Sequence, residues 1–214
     1  MSIKVNIGCG TMPIKDWTNM DNSPAIKLAN SPLKYHILKS LKLLNRNQIE
    51  NIEWNKVNSI HYADATKELA FDNNSVECIY TSHMLEHLSR DGASSFLKET
   101  LRTLEIGGVL RIAVPDLRLH VNNYILNDDA DVFMNSLLVE APKINNIKEK
   151  IQLFLSGYRH HQWMYDGKSL CKKLLASGFK NVQICSDGFT QIKDPSGLDL
   201  YDRSDDSVYV EGVK

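Results

Sequence analysis

The sequence lacks an excess of charge of either sign, because its 25 lysines and arginines nearly balance its 26 aspartates and glutamates. Such a chain has no global field that would recruit nucleic acid or an anionic membrane, and a small or neutral substrate fits it better. Long hydrophobic runs are also lacking: the run at 109–114 contains Arg111 and is far shorter than the roughly 20 residues of a membrane span. The first residues do not show the pattern of a signal peptide. We therefore expect a cytoplasmic protein that binds neither nucleic acid nor membrane.

Cysteine is scarce and irregularly spaced. Cys9, Cys78, Cys171 and Cys185 form no C-x-x-C pair, which argues against both a cysteine metal site and a disulfide framework, so we expect reduced thiols. The chain also lacks repeats, low-complexity tracts and a linker rich in Pro, Gly or Ser. We expect a single domain over residues 1–214.

Short β-type runs alternate with longer helical patterns. The predicted strands are residues 3–7, 17–21, 58–62, 76–80, 109–114, 181–185 and 207–213. Ser31 and Pro32 predict the start of one helix, whose apolar face would be Leu33, Ile37, Leu38, Leu41 and Leu44. Two more helices are predicted, at 91–104, stopped by Gly107 and Gly108, and from Asp166 to Gly178. This alternation predicts an α/β fold with a mostly parallel sheet, helices on both faces, and ligands at the carboxyl ends of the strands.

Two segments fall outside this alternation. Residues 117–157 have helical patterning without a strand, and we predict that they form a helical lid inserted over the sheet edge after the fifth strand. Residues 186–206 form a long loop between the last two strands. Loops of that length in a compact domain are usually functional or mobile.

A glycine turn follows the first predicted strand. Gly8 and Gly10, on either side of Cys9, leave the backbone bare enough for a ligand to approach closely. A dinucleotide-binding turn needs a third glycine, but Pro13 stands there and has no N–H to offer a pyrophosphate. The turn alone is equally typical of an ordinary tight turn after a buried strand.

Carboxylates follow the second and third predicted strands. Asp21 stands where a carboxylate can accept hydrogen bonds from both hydroxyls of a ribose, and its alternative is a surface turn residue. Asp64 can accept from an exocyclic amine while the N–H of Ala65 donates to a ring nitrogen. The alternative for Asp64 is a helix cap. Together with the glycine turn, these residues predict a nucleoside site.

Five segments in order resemble the motifs of class I S-adenosylmethionine-dependent methyltransferases of the type 11-like, small-molecule kind. They are residues 6–11 (NIGCGT), 17–21 (WTNMD), 61–65 (HYADA), 80–88 (YTSHMLEHL) and 104–115 (LEIGGVLRIAVP). The resemblance implies a Rossmann-like, doubly wound sheet of seven strands, mostly parallel with an antiparallel last strand. It implies S-adenosylmethionine as cofactor and S-adenosylhomocysteine as product. The implied cofactor-binding residues are Asn6, Gly8, Cys9, Gly10, Asp21, Asp64, Ala65, Ser82 and His83.

The chain departs from the family pattern near the glycine turn. The path from Gly10 to Asp21 is too short for the usual full first helix, and Met12 lies near the place of the third glycine. Asn6 replaces the usual acidic residue, and this neutral side chain can orient the loop or the cofactor's amino group.

Histidines supply the remaining candidates for chemistry. His83 and His87, with Glu86 between them, have a spacing that can bind metal, but the H-E-x-x-H order and an obvious third ligand are absent, so we predict no metal site. His161, two residues before Trp163, resembles a family histidine at the acceptor pocket. It can serve as the general base that takes a hydroxyl proton, although a packing role is equally compatible with the sequence. Weaker candidates for holding substrate are Asp116, Arg159 and Tyr165.

The reaction implied by the resemblance is methyl transfer to a small molecule. Residues 81–84 (TSHM) differ from the Asp/Asn-Pro-Pro-aromatic segment that receives a flipped base, which argues against a nucleic-acid substrate. Similarity to proteins associated with bacterial surface glycans favours O-methylation of a sugar hydroxyl, in polysaccharide biosynthesis. The alternative from another class is a cofactor-binding module without transferase activity, acting as a regulatory or scaffold protein. A third hypothesis is that the protein is a nucleotide-sugar or NAD enzyme with a similar sheet.

Overall fold

A computed structural model describes residues 2–141, 144, 146, 147, 149, 150, 153 and 160–214. Its centre is a seven-stranded sheet in the order β3-β2-β1-β4-β5-β7-β6. The strands are β1 (Ile3–Ile7), β2 (Thr18–Asp21), β3 (His61–Tyr62), β4 (Val76–Ser82), β5 (Leu104–Pro115), β6 (Lys180–Cys185) and β7 (Ser207–Val213). Strands β1 to β5 pair in parallel, whereas β7 is antiparallel to both β5 and β6. The predicted Rossmann-like sheet, with its antiparallel last strand, is confirmed.

Helices surround this sheet. They are α1 (Pro24–Ala29), α2 (Pro32–Ser40), α3 (Arg46–Val57), a 3-10 helix (Leu85–His87), α4 (Arg90–Thr103), α5 (Leu117–Asn127), α6 (Ala130–Ser136) and α7 (Gly167–Ala176). In the described residues, none of the helices has both the length and the apolar character that crossing a membrane requires. Helices α5 and α6 fall within the segment predicted to be a lid, and that role stays a prediction.

The core shows what packs on each face of the central strands: α4 and α7 lie on one face, and loop residues such as Trp17 and Ile192 lie on the other. The side chains of Val5, Ile79 and Leu110, on three neighbouring strands, are completely buried. Phe96 and Leu97 of α4 pack into the same cluster. Parallel strands covered on both faces are expected to be continuously apolar, and β5 is buried from Val109 onward for this reason.

Arg111, the buried charged residue of β5, has a buried partner. Arg111 lies opposite Glu211 of β7, and its Nη1 donates to Glu211 Oε1 at 2.7 Å and to the Phe189 carbonyl at 2.9 Å. Glu211 also accepts from the Thr190 hydroxyl at 2.6 Å and the Gln191 N–H at 2.7 Å. The pair therefore anchors the long loop that precedes β7 to the middle of the sheet.

Two helix predictions need correction. The predicted apolar face of α2 is wrong in part: Leu33, Ile37 and Leu41 are exposed, whereas Leu38 and Leu44 pack in the cluster that buries Tyr35. The stop at Gly107 is also wrong, because α4 ends at Thr103 and β5 begins at the next residue. Helices α1 and α3 were not predicted, and neither has the regular apolar face on which the other predictions depended. The capping box that begins α3, with its N-cap at Asn45, was nevertheless readable from the sequence.

Candidate functional site

The glycine turn lies at the carboxyl end of β1. Gly8 and Gly10 have φ values of 75° and 52°, in the region that favours glycine. The N–H groups of Gly8 and Cys9 donate to the Met20 carbonyl at 2.8 and 3.1 Å, which ties the turn to β2. A Cβ at Gly8 would lie 2.6 Å from Met84 Cγ, whereas a Cβ at Gly10 would meet nothing within 4 Å. Burial raises the pKa of the Cys9 thiol to about 12, so this thiol stays protonated at neutral pH.

An asparagine pair holds the short crossover between β1 and β2. Buried Asn6 donates through Nδ2 to Asn19 Oδ1 at 3.0 Å and to the Met12 carbonyl at 3.3 Å. Asn19 in turn accepts from the Ile14 N–H and donates to the Ile14 carbonyl, both at 2.8 Å. Asn6 thus orients the loop, one of its two predicted roles. Asn19 was missed, although a polar residue inside a predicted buried strand was a visible signal.

Asp21 ends β2 directly opposite the glycine turn. Its Oδ2 accepts from the Gly10 N–H at 3.1 Å, and its Oδ1 accepts from the Ser23 N–H at 2.7 Å. Asp21 lines both of the cavities described below. The structure therefore brings it to the predicted place, and its contact with a ribose stays a prediction.

Asp64 and Ala65 follow β3, as predicted, but only Ala65 lines a cavity. Asp64 Oδ1 accepts from the N–H and the hydroxyl of Thr66 at 3.0 and 2.7 Å, and Oδ2 lies 3.9 Å from Lys67 Nζ. These contacts stabilise a turn rather than a helix start. Asp64 as an adenine contact stays a prediction.

Ser82 ends β4 beside an aspartate that sequence reasoning missed. Asp202, in the long loop before β7, accepts through Oδ2 from the hydroxyls of Ser82 at 2.6 Å and Tyr80 at 2.9 Å. The Tyr209 hydroxyl donates to the Asp202 carbonyl at 2.8 Å. The loop is therefore fastened over the strand ends, and no local pattern in the sequence linked it to β4.

His83 follows Ser82 in a left-handed conformation, with φ 48°. Its N–H donates to the Ala113 carbonyl at 3.0 Å, and its ring Nε2 lies 2.7 Å from the Ser207 hydroxyl. Burial lowers the pKa of His83 to about 4, so the ring is neutral at physiological pH. His83 lines both cavities.

Glu86 is a completely buried carboxylate in the 3-10 helix. In the described part of the chain, neither of its carboxylate oxygens has a hydrogen-bond partner. Its Oε1 lies 3.7 Å from His83 Nδ1, 3.9 Å from His87 Nε2 and 4.0 Å from His161 Nε2. Burial raises the pKa of Glu86 to about 7.

His161 is brought to Glu86 by the segment that precedes α7. The N–H groups of Gln162 and Trp163 donate to the Glu86 carbonyl at 2.8 and 3.2 Å, and the His161 N–H donates to the Leu138 carbonyl at 3.0 Å. The His161 ring is buried and lines the larger cavity, and burial lowers its pKa. His161 was predicted from the sequence as a candidate general base, but no pattern indicated that Glu86 would lie beside it.

The weaker substrate candidates lie away from the described cavities. Tyr165 is buried in the core, and Asp116 caps α5 by accepting from the Arg118 N–H at 2.9 Å. Neither residue lines either of the two cavities at the strand ends. Arg159 lies outside the described residues.

Two adjoining cavities occupy the carboxyl ends of the parallel strands. The smaller, of about 280 Å³, is lined by Ala63, Ala65, Asn51 and Asn55, and the last two belong to unpredicted α3. The larger, of about 860 Å³, includes residues of α5, α6 and the long loop: His120, Ser136, Asp199, Asp202, Arg203 and Asp206. Both share a wall made of Gly8, Gly10, Thr11, Asp21, His83 and His87.

This arrangement fits the predicted cofactor. The open space over Gly10 admits a ligand at a point where any other residue would place a Cβ, and Asp21 presents its carboxylate to the same space. Ligands of open α/β sheets bind at this edge, and the cavity volumes are typical of small-molecule sites.

Comparisons with known proteins agree with this geometry. Residues 5–112, just over half of the chain, match the family described as a methyltransferase domain. Among curated protein sequences none matches significantly. A Thermotoga maritima S-adenosylmethionine-dependent methyltransferase, described as a possible histamine N-methyltransferase, aligns with a TM-score of 0.52 and 16% identity, covering 100% of this chain and 83% of its own.

Two further solved structures share the fold. A Methanosarcina mazei S-adenosylmethionine-dependent methyltransferase has a TM-score of 0.51 and 14% identity, with 99% of this chain and 91% of its own covered. PigF, solved with S-adenosylhomocysteine, has a TM-score of 0.52 and 12% identity, with 99% and 50% covered. The chain belongs to the family of S-adenosylmethionine-dependent methyltransferases, and its cofactor is S-adenosylmethionine.

Proposed function

We propose that the protein methylates a hydroxyl group of a small, polar acceptor, with a sugar as the favoured class. The observation that carries this proposal is the position of His161, 4.0 Å from Glu86, in the wall of the larger cavity that the glycine turn also lines. A buried imidazole in that position suits the removal of a proton from an attacking hydroxyl.

The lining of the larger cavity supports a sugar rather than a flat aromatic acceptor. Its described polar groups include His120, Asp199, Asp202 and Asp206, which can accept hydrogen bonds from hydroxyls. Tyr80 is the single Phe, Tyr or Trp residue among the described lining residues, so a stacking platform is lacking there. A sugar of the kind used in bacterial surface glycans is the acceptor that the sequence resemblance favours, and this lining is compatible with it.

Different residues of the chain have different roles in the proposed reaction. When bound, S-adenosylmethionine supplies an activated methyl group on a sulfonium sulfur. The glycine turn and Asp21 would hold it, and the protein aligns the acceptor and excludes water. Since burial lowers the pKa of His161, its ring is neutral near pH 7 and can accept the hydroxyl proton.

The test measures S-adenosylhomocysteine release with a panel of sugars, other alcohols and amines. We expect turnover with a sugar hydroxyl, and we expect His161→Ala to lower that rate by about 10²–10⁴-fold, the usual contribution of a general base. Cofactor affinity, from titration calorimetry, should change little. His36→Ala is the matched control, because His36 is exposed on α2 and lines neither cavity.

Each contrary result points to another function. Turnover with amines alone would replace O-methylation by N-methylation, the activity in the description of the Thermotoga maritima protein. Cofactor binding without turnover on any acceptor would favour the regulatory module. An unaltered rate in His161→Ala with a hydroxyl acceptor would exclude the proposed base.

A further inference from the structure

Two consecutive residues and one that is distant in the sequence form a compact group of metal-ligand type. Glu86 and His87 lie in the 3-10 helix after β4, and His161 comes from the segment before α7. One ligand atom from each residue lies within 4.8 Å of the other two. The lack of an obvious third ligand was one reason for predicting no metal site from the sequence, and the fold brings His161 next to Glu86 and His87.

Polar atoms of this group are buried without partners among the described residues, which lowers the stability of the fold. In the described part of the chain, Glu86 Oε1 and Oε2 and His161 Nδ1 are buried without hydrogen-bond partners. A buried polar atom without a partner costs about 1–3 kcal/mol, and a charged one costs more. Coordination to a cation would compensate the Glu86 carboxylate, which is completely buried.

The His87 ring makes a hydrogen bond of the kind that commonly supports a metal-bound histidine. Its Nδ1 lies 3.3 Å from the His160 carbonyl, which can only accept, so Nδ1 carries the proton in this contact. The other ring nitrogen, Nε2, lies 3.9 Å from Glu86 Oε1. A hydrogen bond from the second ring nitrogen to a carbonyl is the usual support of a ligating histidine.

We propose that Glu86, His87 and His161 bind a divalent first-row transition metal ion such as Zn²⁺. Two imidazoles and one carboxylate suit such an ion, whereas Mg²⁺ and Ca²⁺ prefer oxygen ligands alone. All three residues line the larger cavity, so the ion has protein ligands on one side and the acceptor cavity on the other. This leaves a coordination position for a small molecule, as in catalytic rather than structural sites.

The ion changes how a hydroxyl acceptor is activated. When bound, the ion would lower the pKa of a hydroxyl coordinated to it, and solvent water would take the proton, because His161 would then hold the ion instead of acting as the base. This consequence rests on the proposed function, whereas the ion site does not.

The experiment titrates the untagged protein, stripped by a chelator, with ZnCl₂ and separately with MgCl₂, in the absence of cofactor and acceptor. We expect one equivalent of Zn²⁺ to bind and Mg²⁺ to bind far more weakly. Glu86→Gln and His161→Ala should weaken Zn²⁺ binding by more than about 100-fold, the upper end of what loss of a supporting contact costs. His36→Ala, at an exposed histidine, should bind as the wild type does.

Circular dichroism must first show that each variant is folded. Loading the wild type with Co²⁺ gives a readout without any variant: paramagnetic shifts of the ring protons of two histidines are expected in the NMR spectrum. No stoichiometric binding, or equal binding by Glu86→Gln and His161→Ala, would overturn the proposal. Because acceptor and cofactor are left out, a failed titration does not count against methyl transfer, and failed turnover does not count against the ion site.

Discussion

Gly8→Ala tests how tightly the glycine turn is packed against the end of β4. Gly8 and Gly10 both have positive φ, yet they differ in what a new Cβ would meet. At Gly8 it would lie 2.6 and 2.8 Å from Cγ and Cβ of Met84, whereas at Gly10 it would enter open space. The two substitutions therefore share the backbone strain and differ in the steric overlap.

The expected magnitudes follow from this difference. Holding alanine in a left-handed conformation costs about 1–2 kcal/mol, and this is the whole cost expected at Gly10. Overlap with packed atoms adds about 1–3 kcal/mol, so Gly8→Ala should lower the free energy of unfolding by about 2–5 kcal/mol. For a chain of this size the difference corresponds to a melting temperature about 2–12 °C lower for Gly8→Ala than for Gly10→Ala.

Urea unfolding followed by circular dichroism measures both values, provided that the m-value stays constant. A double-mutant cycle with Met84→Gly isolates the overlap, because this substitution removes both clashing atoms. The coupling energy should be about 1–3 kcal/mol, with Gly8→Ala far less harmful beside Met84→Gly than alone. Equal costs at Gly8 and Gly10, or a coupling energy near zero, would refute this account of the turn.

Two other substitutions test the cofactor side and the loop anchor. Asp21→Ala should weaken S-adenosylmethionine binding by roughly 1.5–3 kcal/mol, because charge-assisted hydrogen bonds are lost. Calorimetry measures this affinity, with the exposed Asp72→Ala as the control. Unchanged affinity would mean that Asp21 does not hold the ribose. Glu211→Gln should destabilise the fold by about 3–5 kcal/mol because it leaves the buried Arg111 guanidinium without a counter-charge. Replacing both partners, in Arg111→Met/Glu211→Gln, should restore part of that loss in urea unfolding, and a single-variant cost below about 1 kcal/mol would contradict it.

The sequence predicted the sheet well because its signals are local. Alternating apolar runs, the Asp166 cap and Pro115 at the strand end each act over a few residues, and the structure has the corresponding elements. The predictions failed where tertiary packing outweighed the local pattern. On α2, Leu33 and Ile37 stay exposed, since the fold buries Tyr35 instead.

The residues of the candidate site likewise differ in whether a local pattern predicted them. The glycine turn and Asp21 were predictable, because parallel strands place their carboxyl ends at one edge of the sheet and residues just after them must meet there. Asp202 was not predictable, because its contacts with Tyr80 and Ser82 join segments more than a hundred positions apart in the chain.

The sequence by itself determined the succession of the strands along the chain, the family and the cofactor edge, since these follow from periodicity and from short motifs. Only the tertiary structure decided what surrounds Glu86. His87 follows Glu86 directly in the sequence, but His161 comes from a separate segment, which the hydrogen bonds from Gln162 and Trp163 to the Glu86 carbonyl hold in place. The cost of burying a carboxylate depends on which groups the folded chain places around it, and no local pattern records that.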